Sequence, residues 1–252
     1  MLNTVLHGVR TERPPLLIAH GLFGSARNWG VIARRLSDER QVIAVDMRNH
    51  GDSHWHDSHG YPDLAHDLAE VIDDLGGRAD VVGHSMGGKA AMALALRHPE
   101  TVHRLVVADI APVAYDHTQA HLIHAMRGVD PAALDKRSDA DAALAAAIPD
   151  APVRAFLLQS LDLKEKCWRL NLDALEAEMP QIIGWPGIEA EAGHPTLFLA
   201  GGDSDYVKPD SRAVTRQLFP KARFASIPGA GHWLHAEKPR EFEAAIRVFL
   251  GN

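Results

Sequence analysis

Ala79-Asp80-Val81-Val82-Gly83-His84-Ser85-Met86-Gly87-Gly88-Lys89-Ala90-Ala91-Met92-Ala93-Leu94-Ala95-Leu96 decides how the rest of the chain is read. Its first residues are a short β-branched apolar run, and its last are strong helix formers. Between them, Ser85 stands in Gly-x-Ser-x-Gly, with Gly83 two residues before it and Gly87 two after. A turn from strand straight into helix leaves no room for side chains beside the serine, which is the reason for the glycines. Such a turn holds the serine hydroxyl at a helix N-terminus, where backbone N–H groups can stabilise a developing negative charge. Taken with its flanks, the pentapeptide reads as a nucleophile elbow rather than a chance match.

Segments like this one alternate along the chain. Residues 15–20, 41–46, 104–109, 195–200 and 222–227 are continuous apolar runs, each ending in small or polar residues. Runs without polar alternation suit strands covered on both faces, as in a parallel sheet. Helical stretches are predicted over 29–37, 62–75, 87–98, 208–219 and 239–250; in the second, Leu64, Leu68, Val71, Ile72 and Leu75 form one stripe. Strand and helix in alternation predict an α/β fold with a doubly wound, mostly parallel sheet. Ligands then bind beyond the carboxyl ends of the strands, and Ser85 lies at one such end. The rhythm breaks over 113–190, an alanine-rich, acidic and proline-punctuated stretch that is mostly helical. It reads as a small helical cap inserted over the site, leaving 1–112 and 191–252 as the core.

The 252 residues carry a net charge of −7 with no block of lysine or arginine, which argues against nucleic acid or an anionic membrane as partner. Cys167 is the only cysteine, so no intrachain disulfide can form. The N-terminus has no charged region followed by an apolar stretch, and no run approaches the ~20 residues needed to span a bilayer. A cytoplasmic location is therefore expected.

A serine hydroxyl needs a base to take its proton, and the base needs an acid to hold its tautomer. Among 16 histidines, His232 is the expected base, because Gly229-Ala230-Gly231-His232-Trp233 follows the last strand and precedes the final helix. Three aspartates compete for the acid. In the commonest arrangement it follows the strand over 195–200, in a Gly-x-x-Asp-x-x-Val pattern. Here that segment runs Gly201-Gly202-Asp203-Ser204-Asp205-Tyr206-Val207, with Ser204 at the acid position and Asp203 and Asp205 on either side. Asp109 ends the strand next to the elbow strand and could reach the histidine from there; otherwise it caps a turn. The oxyanion donors are expected to be the backbone N–H groups of Met86 and of Leu22, in the loop His20-Gly21-Leu22-Phe23-Gly24. Leu22, Phe23 and Trp233 are the expected substrate contacts, and His20 reads as structural.

These pieces, with Asp46-Met47-Arg48-Asn49-His50-Gly51-Asp52-Ser53 and Asp109-Ile110-Ala111-Pro112, resemble the α/β-hydrolase superfamily. More narrowly, they are similar to a small bacterial carboxylesterase and acyl-CoA thioesterase subgroup with mitochondrial relatives. The match spans the chain and is weaker over the cap. It implies an acid at Asp109 and a fourth member at Ser204, while Asp203 and Asp205 depart from the subgroup's pattern. The activity it implies is hydrolysis of small-molecule esters or acyl thioesters, short to medium in chain length, through an acyl-enzyme and without a cofactor. A carbon–carbon hydrolase, a cofactor-free perhydrolase and a non-enzymatic binding protein are the rivals. Two histidine groups, His50, His54, His56 and His59 with Asp52 and Asp57, and His117, His121 and His124, lack a recognised ligand pattern, so no metal site is expected. The Asp52-Ser53 turn reads as structural. Met126, Leu157, Leu158, Trp168 and Trp185 either line an acyl pocket or form plain cap core.

Overall fold

The computed structural model describes residues 1–251. The chain begins with β1 (Thr4–His7), β2 (Leu16–Ala19), α1 (Gly30–Leu36), β3 (Val42–Val45), α2 (Tyr61–Asp74), β4 (Ala79–His84), α3 (Met86–Arg97) and β5 (Val102–Ala108). After an interruption come β8 (Thr196–Gly201), α9 (Ser211–Leu218), β9 (Ala222–Ile227), α10 (Leu234–Glu237) and α11 (Pro239–Leu250). The interrupting stretch holds α4 (Ala120–Arg127), α5 (Arg137–Leu144), α6 (Ala151–Leu157), the short strands β6 (Leu161–Asp162) and β7 (Cys167–Trp168), then α7 (Leu172–Ala177) and α8 (Met179–Ile183).

Seven strands form one sheet in the order β1-β3-β2-β4-β5-β8-β9, parallel throughout except for β1, which runs antiparallel to β3. The six parallel strands, the elbow strand included, lie where the sequence predicts them, within two residues at their ends. β1 was not foreseen. Its four residues are mostly exposed and it is an edge strand, so it lacks the continuous apolar run that marks its neighbours. The sheet separates two apolar layers. Leu64, Leu68, Val71 and Ile72 of α2 and most of α3 pack on one face; Trp29, Ile32 and Leu36 with Phe242, Ile246 and Leu250 of α11 pack on the other. Each of these large side chains contributes roughly 1.5–3 kcal/mol by leaving water. Helix α3 is buried along nearly its whole length, which explains why its sequence is apolar on every side.

Two elements carry detail beyond the sequence reading. The expected first helix over 29–37 starts as a 3₁₀ turn, Ala26–Trp29, before α1 begins at Gly30. The stretch 113–190 is not only helical, because β6 and β7 pair as a hairpin. That hairpin leads the chain back onto the loop after β3: the Gly51 N–H donates to the Arg169 carbonyl (2.9 Å) and the Asn171 N–H to the Asn49 carbonyl (3.0 Å). The loop itself is tied to α2 by a buried Arg48–Asp67 pair (2.6 Å). Among the described residues no helix is long and apolar enough to cross a membrane.

Because the strands are parallel, the loops after β2, β4, β5, β8 and β9 gather at one edge of the sheet. They carry Gly21–Gly24, Ser85, Asp109, Ser204 and His232 respectively.

Candidate active site

Ser85 has φ 52° and ψ −119°, a conformation that an L residue adopts only under constraint. The constraint is the β4–α3 junction. A Cβ on Gly83 would stand 2.3 Å from the Gly87 carbonyl oxygen, and one on Gly87 2.4 Å from that of Ala19. The Ser85 N–H donates to the Ala108 carbonyl (3.0 Å), fixing the turn against the end of β5. Ser85 Oγ lies 3.1 Å from His232 Nε2.

On the other side of the imidazole, His232 Nδ1 lies 2.7 Å from Asp109 Oδ2. The aspartate is fully buried, and its other oxygen accepts from the Gly201 N–H (2.9 Å). Ser204 Oγ donates to the same Oδ2 that faces the histidine, and the Tyr206 N–H donates to Ser204 Oγ (3.3 Å). Asp203 and Asp205 are exposed, and the carboxylate on Nδ1 is that of Asp109. The arrangement follows from strand order. β5 lies between β4 and β8, so a residue ending β5 is flanked by the elbow and by the loop after β8.

His232 is held on one ring face and through its backbone. Tyr206 stacks on it with centroids 3.8 Å apart and planes 17° apart, and Tyr206 Oη is itself 3.0 Å from His117 Nε2. His84 Nε2–H donates to the His232 carbonyl (2.8 Å). Burial, joined by the neighbouring histidines, holds His84 well below the ordinary histidine value, and burial pushes His235 down to about 3. Both rings are thus neutral near pH 7 and add no positive charge beside His232.

The loop after β2 presses on Ser85: a Cβ on Gly21 would be 3.2 Å from Ser85 Cβ. Within it, the Phe23 N–H is spent on His50 Nε2 (3.1 Å) and the Gly24 N–H on the Gly21 carbonyl (3.0 Å). Met86 opens α3, so its N–H has no acceptor inside the helix. His20 accepts from the Met47 N–H (2.9 Å) and donates to the Gly21 carbonyl (2.8 Å), a scaffold role.

The histidines after β3 have a role that sequence reading missed. His50 donates through Nδ1 to the Arg48 carbonyl (2.9 Å) while its Nε2 supports Phe23. His59 Nε2 lies 3.2 Å from Met86 Sδ, and burial pushes its pKa to about 3. Both histidines buttress the two segments flanking Ser85, and both ring nitrogens of each are engaged. A spacing of two to nine residues in a loop carries no mark of this, because the contacts that reach the site, to the Phe23 N–H and to Met86 Sδ, are to residues distant in sequence. In the turn that follows, Ser53 Oγ donates to the Asp46 carbonyl (2.5 Å), again a scaffold contact.

The site opens into a cavity of about 490 Å³ whose walls include Leu22, Phe23, Trp233, Val153 and Phe156. Phe156 and Trp233 face each other at 5.4 Å. The candidate pocket residues Met126, Leu157, Leu158 and Trp168 are instead buried in the apolar cluster that runs on from the α2–α3 face of the sheet, and Trp185 packs near Tyr61 (6.3 Å). The cap faces the cavity through Gln119, His121, Leu122, Ile148, Val153 and Phe156.

A family model for the α/β-hydrolase fold matches residues 14–239. The chain belongs to the α/β-hydrolase family. It is 42% identical over 241 residues to the esterase YbfF of Escherichia coli, covering 94% of this chain and 93% of that one. It is 41% identical to the mouse sn-1-specific diacylglycerol lipase ABHD11, covering 94% of this chain and 81% of that protein. Among solved structures, a marine microorganism esterase superposes with a TM-score of 0.93 at 37% identity, over 98% of each chain.

Proposed function

We propose that this α/β-hydrolase is a serine carboxylesterase acting on small-molecule esters or acyl thioesters of short to medium chain length. The observation that carries the reading is the continuous chain from Asp109 through His232 to Ser85 Oγ, with contacts of 2.7 and 3.1 Å at the mouth of an apolar cavity. Its similarity to proteins named as esterases and a lipase supports the same reaction class.

In the proposed cycle, His232 Nε2 takes the Ser85 hydroxyl proton as Oγ bonds to the substrate carbonyl carbon. The carbonyl π pair moves onto oxygen, and the Leu22 and Met86 N–H groups hold that oxyanion. Collapse of the intermediate breaks the bond to the alcohol or thiol, which leaves with the proton from His232. Water then attacks the acyl-enzyme with His232 again as base, releasing the acid and restoring Ser85. Asp109 fixes the Nδ1–H tautomer and balances the imidazolium, while Ser204 holds the Asp109 oxygen that faces the ring. Every step uses the chain's own groups and water.

Ser85→Ala removes only Oγ and keeps a side chain the turn already accommodates. Hydrolysis of p-nitrophenyl butyrate is expected to fall by at least about 10⁴-fold while the unfolding midpoint is retained. Turnover within tenfold of wild type would overturn the assignment.

A further inference from the structure

Ser85 borders two cavities. Besides the large one of about 490 Å³, a small one of about 50 Å³ lies on the side of α3 and α8. The two share Ser85, Leu22, Gln119 and Tyr206 at their boundary. His232, Trp233 and His235 line the large cavity. Met86, Lys89, Ile110, Tyr61, Ile182 and Ile183 line the small one, and His232 does not.

That asymmetry assigns the two halves of the substrate. The tetrahedral carbon on Ser85 Oγ carries three other substituents. The oxyanion points at the N–H groups of Leu22 and Met86. The leaving atom must lie within reach of His232 Nε2, because it departs with that proton. The acyl carbon takes the direction that remains, away from the histidine. We infer that the small cavity is the acyl site and the large cavity the leaving-group site, so that the protein selects short acyl groups and tolerates bulky alcohols or thiols. This rests on the serine-esterase reading above.

The size of the small cavity sets the limit. A water-sized group needs roughly 10–15 Å³ on this measure, so the cavity holds about three to five non-hydrogen atoms beyond the carbonyl. Its walls cannot yield cheaply. Ile182 is buried, its carbonyl accepts from Tyr61 Oη (2.5 Å), and Lys89 Nζ ties the chain just beyond it by donating to the Ile183 (2.9 Å) and Gly184 (2.5 Å) carbonyls. The large cavity is lined by Leu22, Val153, Phe156 and Trp233 and by the polar Asn28 and Gln119, a surface suited to a largely apolar leaving group of ten or more atoms, by the same measure roughly.

Two ester series separate the halves. With p-nitrophenol as the fixed leaving group, kcat/KM is expected to fall at least tenfold from butyrate to octanoate. With acetate as the fixed acyl group, alcohols growing from two to ten carbons are expected to change kcat/KM less than threefold or to raise it. Ile183→Ala should raise the octanoate-to-butyrate ratio at least tenfold, and Ile183→Phe should lower the butyrate-to-acetate ratio by as much. Val153→Trp, in the large cavity, should penalise long alcohols and leave the acyl cut-off where it was. Octanoate hydrolysed as well as butyrate by the wild type, or an acyl cut-off moved by Val153→Trp and not by either Ile183 variant, would overturn the inference while leaving the esterase reading intact. Hydrolysis of none of these esters would overturn that reading itself, and the inference with it.

Discussion

Holding Ser85 at φ 52° and ψ −119° costs the chain on the order of 1–3 kcal/mol. The packing of Gly83 and Gly87 against neighbouring carbonyls sustains that cost, and the hydroxyl is delivered ready-placed to His232. In the proposed mechanism Asp109 carries the electrostatic half of the arrangement. An amide there could still accept a hydrogen bond but would neither balance the imidazolium nor favour the right tautomer. Asp109→Asn is therefore expected to lower kcat by ~10⁴-fold, as the equivalent change does in the reference serine proteases. Asp203→Asn and Asp205→Asn should stay within threefold of wild type, and Ser204→Ala should show an intermediate loss. Steady-state kinetics of the four variants checks this, and a crippled Asp205→Asn beside an active Asp109→Asn would contradict it. Tyr206 tests the positioning of the base. Its ring lies flat on the imidazole, so Tyr206→Phe keeps the stacking face and Tyr206→Ala removes it. The alanine variant should lose at least tenfold more kcat than the phenylalanine variant; equal losses would assign the effect to the hydroxyl and its contact with His117.

Lys89 ties two elements together and makes their docking sensitive to pH. It rises from the first turn of α3, is 1% exposed, and its Nζ lies 4.7 Å over the Tyr115 ring while donating to the Ile183 and Gly184 carbonyls at the end of α8. Burial lowers its pKa from 10.5 to about 7. Between these values the unfolded chain binds a proton that the folded chain does not, so stability rises with pH through this window. Below about pH 7 both states carry the charge and the full burial penalty is felt. Urea midpoints at pH 6.5 and 9.5 should therefore rise more in the wild type than in Lys89→Met; parallel pH dependences would contradict the assignment. The parallel strands and α2, α3 and α11 were legible because each buries a continuous run or a helical stripe. β1 was not, since an edge strand of four mostly exposed residues has no such run. The internal detail of 113–190 was not legible either. Its helices are five to eight residues long, too short for periodicity to tell the cavity-facing side from the core-facing side. Hence Val153 and Phe156 went unnoticed, while Met126 and Leu157 were candidates for a wall they do not form.

At the scale of the whole molecule, the parallel sheet brings five loops to one edge and the insertion closes over them. Residues more than a hundred positions apart thereby meet: Ser85 and His232, His232 and Asp109, Asn28 Nδ2 and Gln159 Oε1 (2.6 Å). Ser85 and His232 stood out as candidates in glycine-rich turns because those turns are local. The acid could not be settled that way, because Asp109, Asp203 and Asp205 all lie at strand ends on the same edge, and only the order of strands distinguishes them. A neutral histidine shell, an apolar cavity and a strained serine support the proposed account, in which Ser85 is the single nucleophile of an acyl-transfer site. Its most direct test is reaction with a fluorophosphonate, followed by peptide mapping in a mass spectrometer. One adduct per chain on the peptide containing Ser85, formed in proportion to the loss of esterase activity and absent from Ser85→Ala, is the expected result. An adduct on another residue, or full esterase activity in protein labelled at Ser85, would contradict it.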